Sequence, residues 1–104
     1  MWIFANDAFL SVVRDREKPG RLLVRARRRQ DIERVFPGAE VIESAEADYR
    51  FRAFLPEEEV VTAVAARVRA IDYGNFKDSI EDRALSAFAH QVWLEGLRLQ
   101  KADD

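Results

Sequence analysis

The 104-residue chain contains no cysteine, which excludes a disulfide framework, a thiolate nucleophile and a cysteine-held metal, and fits a reducing cytoplasm. Histidine occurs once, as His90, so the several imidazoles that transition-metal sites usually draw on are missing and no metal or other cofactor is expected. The four glycines and three prolines form no Gly-rich phosphate loop, no Gly-x-Ser-x-Gly elbow and no calcium-type acidic loop. Enzyme classes defined by those motifs are excluded, whereas enzymes whose sites are assembled from scattered residues are not. No apolar run approaches membrane-spanning length, and Met1 to Asp7 lacks the basic start and sustained apolar core of a signal peptide. Neither export nor membrane insertion is expected.

What is present is enough for a core. Apolar residues make up 48% of the chain and charged residues 35%, which supports a folded domain with a well-solvated surface rather than a disordered chain. The length suits one domain spanning residues 1–104. The formal net charge of −2 conceals an uneven distribution. Residues 1–34 carry nine basic side chains against five acidic ones, a balance of +4, and the remainder carries eight against fourteen, a balance of −6. Such a polarity can orient an acidic partner through the long-range field.

Alternation and turn chemistry divide the first half of the chain into strands. The segment from Met1 to Arg14 is apolar but broken at Asn6-Asp7, which predicts two short strands joined by a turn. Arg16 to Gly20, with Pro19 fixing φ and Gly20 permitting a positive one, reads as a hairpin connection. From Arg21 to Arg28, Leu22, Val24 and Ala26 face one way and Leu23, Arg25 and Arg27 the other. A short helix is expected over Gln30 to Phe36, a brief strand over Ala39 to Glu43, and a strand over Asp48 to Leu55. In that last strand Tyr49, Phe51, Ala53 and Leu55 form an inward apolar row opposite Arg50, Arg52 and Phe54.

The second half reads as helical. Pro56 followed by Glu57, Glu58 and Glu59 is a helix start, since proline suits the first turn and carboxylates complement the positive end of the dipole. This helix runs to about Ile71, with Val60, Val61, Val64, Val68 and Ile71 as its buried stripe and Gly74 beyond it as the cap. A last helix, capped by Ser79 and Asp82, reaches about Gln100. Its expected buried residues are Leu85, Phe88, Ala89, Val92 and Leu99, with Trp93 beside them.

Two features bear on function. If both alternating strands lie in one sheet, Arg25, Arg27, Arg50 and Arg52 project from the face that the core does not use. A planar guanidinium fork suits phosphate and carboxylate, so nucleic acid or an acidic protein surface could dock there. The structural alternative is that these arginines pair with acidic groups of the same molecule. Sheets that bind single-stranded RNA display aromatics for base stacking, and the inward placement of Tyr49 and Phe51 counts against that reading. The second feature is the connection Ile71 to Asp78, where Tyr73, Asn75 and Lys77 crowd a loop, a frequent setting for binding. There the alternative is that Tyr73 and Phe76 plug the core while Asn75 and Asp78 satisfy helix ends.

Trp2-Ile3-Phe4, Arg25-Ala26-Arg27 with Asp31-Ile32-Glu33, Asp48-Tyr49-Arg50-Phe51-Arg52, Ile71-Asp72-Tyr73 with Asn75-Phe76-Lys77, and Val92-Trp93 together resemble a group of small uncharacterised bacterial proteins of about this length. The resemblance covers most of the chain. It implies a cytoplasmic stand-alone domain and no particular activity.

The expected fold is α+β: a mainly antiparallel sheet of four or five strands, two longer helices packed on one face, and a short connecting helix. The expected function is that of a small non-catalytic binding or adaptor protein whose arginine-bearing face, with the Tyr73 to Lys77 loop, meets an acidic macromolecule. Two other classes compete: a homodimer with that face as its interface, and a small enzyme using Asp72, Tyr73, Lys77 or His90.

Overall fold

A computed structural model describes residues 1–103; Asp104 lies outside them. The chain forms two compact units, Met1–Asp72 and a second one from Tyr73 onward.

In the first unit the break at Asn6-Asp7 separates strands β1 (Trp2–Ala5) and β2 (Ala8–Arg14), which pair antiparallel with Ala5 opposite Ala8. Both loop residues keep negative φ, so this hairpin closes without the left-handed pair that two-residue loops usually employ. Asp7 is fixed from outside instead. Its carboxylate pairs with Arg67, its carbonyl accepts from Arg34 Nη1 at 2.9 Å, and Arg67 Nη2 donates to the Arg34 carbonyl at 2.9 Å.

The next hairpin turns at Gly20, which takes φ +79°, a conformation that costs glycine little. Asp15 organises this turn: its carboxylate accepts from the Glu17 N–H at 2.9 Å and from Arg21 Nε at 2.5 Å. Those bonds, the backbone one foremost, hold its carboxyl below the usual Asp range against the opposing effect of desolvation.

Strand β3 (Arg21–Ala26) pairs with β2 and with β5 (Phe51–Pro56), and the two-residue β4 (Ile42–Glu43) closes the far edge. The five strands are antiparallel throughout, in the order β1-β2-β3-β5-β4. β3 is shorter than its alternation suggests because Arg28 becomes the cap residue of helix α1 (Arg29–Val35). Where β3 leaves the sheet, the buried Asp31 of α1 takes over as acceptor: its Oδ2 receives the Phe9 N–H at 3.1 Å, and its other oxygen pairs with Arg28 at 2.7 Å. A strand ladder thus ends without an orphaned buried donor.

Helix α2 (Glu57–Arg69) begins directly after Pro56 with three glutamates in its first turn, as the proline and charge pattern require. Glu57 pairs with Arg14 at 2.7 Å, and the Glu57 N–H donates to the Gly20 carbonyl at 2.9 Å. The core joins Leu10, Val12, Val24, Ala26, Ala53 and Leu55 of the sheet to Ile32 and Phe36 of the α1 segment and Val60 of α2, with Ala63 and Val64 packed against it. Ala26 and Ala53 are fully buried, and their small side chains leave room for the helices. Val61, Val68 and Ile71, expected in the buried stripe, are exposed. Val61 and Val68 lie roughly a quarter turn round the helix from Val60, and the helix ends before Ile71. Its last residue is followed by Ala70 in right-handed conformation, so Gly74 is not its cap.

The second unit contains a 3-10 turn over Lys77–Ser79 and helix α3 (Arg83–Lys101). Asp82 caps α3, its Oδ1 accepting from the Leu85 N–H at 3.1 Å. Ser79 closes the preceding turn instead, donating from Oγ to the Phe76 carbonyl at 2.6 Å. Leu85 and Ala89 are buried, whereas Phe88, Val92, Trp93 and Leu99 are exposed. Helical periodicity identifies the apolar side of a helix and not whether anything covers it. Among the described residues no helix is long and apolar enough to cross a membrane.

Candidate functional site

Register places one residue from every strand in a single row on the face opposite the core: Trp2 of β1, Ser11 of β2, Arg25 of β3, Arg52 of β5 and Ile42 of β4. Direct cross-strand partners share a face. To one side of this row lies the pair Phe4–Phe9, and to the other lie Val13, Leu23 and Phe54. Arg21 spreads over the Phe54 ring at 4.5 Å. Trp2, at the edge, is 71% exposed and contacts Phe9 in a T-shaped arrangement at 5.5 Å.

Tyr49 is where the structure departs most from the expected pattern. It is only 5% exposed, yet it is not in the inward row. The backbone from Asp48 to Arg50 lies outside β5, so strict alternation no longer governs it. Asp48 Oδ1 accepts from the Tyr49 N–H at 2.9 Å, which shapes the turn. The phenol ring sits beneath the guanidiniums of Arg25 and Arg27, at 4.7 Å and 4.6 Å from its centroid. Phe51 does pack against the core.

Arg25, Arg27 and Arg52 therefore converge on one segment. Arg25 Nη2 donates to Ser11 Oγ at 2.9 Å, Arg27 Nη1 to the Asp48 carbonyl at 2.7 Å, and Arg52 Nη2 to the Tyr49 carbonyl at 3.4 Å. All these partners are neutral. Among the described residues none of the three guanidiniums belongs to an ion pair. The Nε donors of Arg25 and Arg52 are buried and have no hydrogen-bond acceptor, an arrangement that costs free energy.

Arg50 is not part of this group. Its guanidinium pairs with Glu43 at 2.6 Å and lies over the Phe51 ring at 5.6 Å, while Arg29 approaches the same carboxylate at 3.9 Å. Arg14, Arg21, Arg28 and Arg67 likewise meet Glu57, Asp15, Asp31 and Asp7. The structure thus separates arginines with carboxylate partners from the three around Tyr49.

The remaining expected residues lie elsewhere. In the second unit the Tyr73 and Phe76 rings are 6.1 Å apart, Asn75 Oδ1 accepts from the Asp78 N–H at 3.1 Å, and Lys77 Nζ sits 4.7 Å over the Trp93 ring. Those contacts order a turn. His90 stacks on Trp93 at 6.0 Å, and Asp72 is an exposed residue at the end of the first unit. Two cavities of the first unit, of about 470 and 610 Å³, lie along α2, and Asp72 lines neither. Among the described residues no cluster of His, Asp or Glu is arranged to hold a metal ion.

Trp2 and Ser11 were not singled out as site residues by sequence. The available signal was Ser11 itself, a hydroxyl inside an otherwise apolar strand, with Trp2 placed opposite it by the two-residue hairpin. Comparison with protein-family models, curated proteins and solved structures gave no match.

Proposed function

We propose that the protein is a non-catalytic binding protein that receives an acidic macromolecule on the face bearing Arg25, Arg27 and Arg52. The observation that carries this reading is the contrast in partners: three adjacent guanidiniums engage only a hydroxyl, two carbonyls and a ring. Their positive charge is held in place by the fold without being neutralised by it. An incoming phosphate or carboxylate therefore displaces no resident carboxylate, and guanidiniums already fixed by packing lose little conformational freedom on binding.

The test is binding of a labelled oligonucleotide and a labelled polyglutamate peptide, followed by fluorescence anisotropy at low and high salt. At least one of them binds at low salt, and the Arg27→Gln/Arg52→Gln double variant weakens it by about tenfold or more, since charge-assisted hydrogen bonds of roughly 1.5–3 kcal/mol are lost. Equal affinity in the double variant, or no binding of either probe at low salt, would refute the reading.

A further inference from the structure

We infer that the acidic partner is a single-stranded nucleic acid, with a base stacked on Trp2 and the adjoining phosphates on Arg25, Arg27 and Arg52; this rests on the reading above and narrows it. Two independent observations meet on one face. The first is the cluster of guanidiniums around Tyr49, whose partners are a hydroxyl, two carbonyls and a ring. The second is the indole of Trp2, 71% exposed and in the same cross-strand row as Arg25 and Arg52.

An exposed indole offers a carboxylate only its single N–H donor, whereas to a base it offers a whole face for stacking, a sequence-tolerant contact worth about 1–3 kcal/mol. A duplex conceals its base faces in its own stack, whereas a single strand presents bases and phosphates together. The spacing suits that pairing of contacts. Trp2 and Arg25 stand two strands apart, about 10 Å at the usual interstrand distance. A platform of this kind holds the base site and the Arg25 and Arg52 part of the phosphate site at fixed separation, because Trp2, Arg25 and Arg52 sit on paired strands. Phe9 braces the indole from within the sheet. Tyr49, contrary to its expected inward placement, lies on this same face and seats Arg25 and Arg27.

The chain has two tryptophans, so the experiment uses the Trp93→Phe protein, in which Trp2 is the sole indole. It is titrated with a deoxythymidine oligonucleotide of about twelve nucleotides and with an abasic chain of the same phosphate count. The oligonucleotide quenches Trp2 fluorescence, binds about tenfold more tightly than the abasic chain, and loses roughly twentyfold in affinity between 50 and 200 mM salt for three phosphate contacts. Replacing the indole in the same protein by Trp2→Ala removes about tenfold of the oligonucleotide affinity, measured by anisotropy, and leaves abasic binding unchanged. Equal binding of oligonucleotide and abasic chain, both weakened in Arg27→Gln/Arg52→Gln, overturns the stacking role while sparing the arginine face. Binding of polyglutamate alone overturns the nucleic-acid assignment but keeps an acidic partner. Failure of all probes removes both readings.

Discussion

The two faces of the five-stranded sheet carry different chemistry on the same backbone. On one, Leu10, Val12, Val24, Ala26, Ala53 and Leu55 meet α1 and α2 in an apolar layer, and burial of apolar area is the dominant gain. On the other, the central row runs Trp2, Ser11, Arg25, Arg52, Ile42, and Arg25 and Arg52 are held by neutral partners. Folding accounts for the first face in full. It accounts for the second only in part, because the Tyr49 turn could be fixed without leaving three charges uncompensated. A positively charged cluster in a chain of net charge −2 is a local field with a direction, which is what recruitment of an anionic partner requires.

Substitutions on the two faces give different signatures, and the largest belongs to the core. Ile32→Ala removes a fully buried side chain and lowers stability by about 3 kcal/mol in urea unfolding, with oligonucleotide affinity unchanged where the protein remains folded. An affinity loss in the folded variant would show that the faces are coupled. Tyr49 tests the other side more finely. Tyr49→Leu keeps an apolar side chain there but loses the ring under Arg25 and Arg27, at a cost of about 1–2 kcal/mol, and it weakens polyanion binding because the guanidiniums lose their seat. Tyr49→Phe keeps the ring and leaves both properties close to those of the parent. If Phe behaves like Leu, the hydroxyl rather than the ring organises the cluster.

The smallest effect is expected at Asp15, beyond both faces. Its folded carboxyl titrates below the ordinary 3.8, so the ionised form is stabilised by folding. The contribution is fully present above that ordinary value and is lost as pH falls through the lower folded value. Thermal unfolding of Asp15→Asn therefore shows a lower Tm than the parent at neutral pH, with the gap narrowing once pH drops below the ordinary value. A gap independent of pH would mean that geometry of the turn, not charge, is what Asp15 supplies.

Much of this architecture is legible in the residues. The Asn6-Asp7 break, the Pro19-Gly20 turn, the alternation from Leu22 to Ala26 and the Pro56-Glu57-Glu58-Glu59 helix start each rest on neighbours a few positions apart. The candidate face was half legible: the alternation correctly placed Arg25 and Arg52 together, and it misplaced Tyr49 and Arg50.

What the sequence by itself determined, then, is the local conformation of each segment and the parity of side chains inside paired strands. Steric limits on φ and ψ and the two side-chain periods act over a few residues. The tertiary structure alone decided matters that depend on groups remote in the chain. Arg67 finds Asp7 from 60 residues away, β4 shrinks to two residues at the sheet edge, and Asp48 to Arg50 leave the ladder so that Tyr49 turns beneath the arginines. Whether a guanidinium meets a carboxylate or a carbonyl is set by distances of a few ångströms in the folded chain, and no spacing in the sequence encodes that directly.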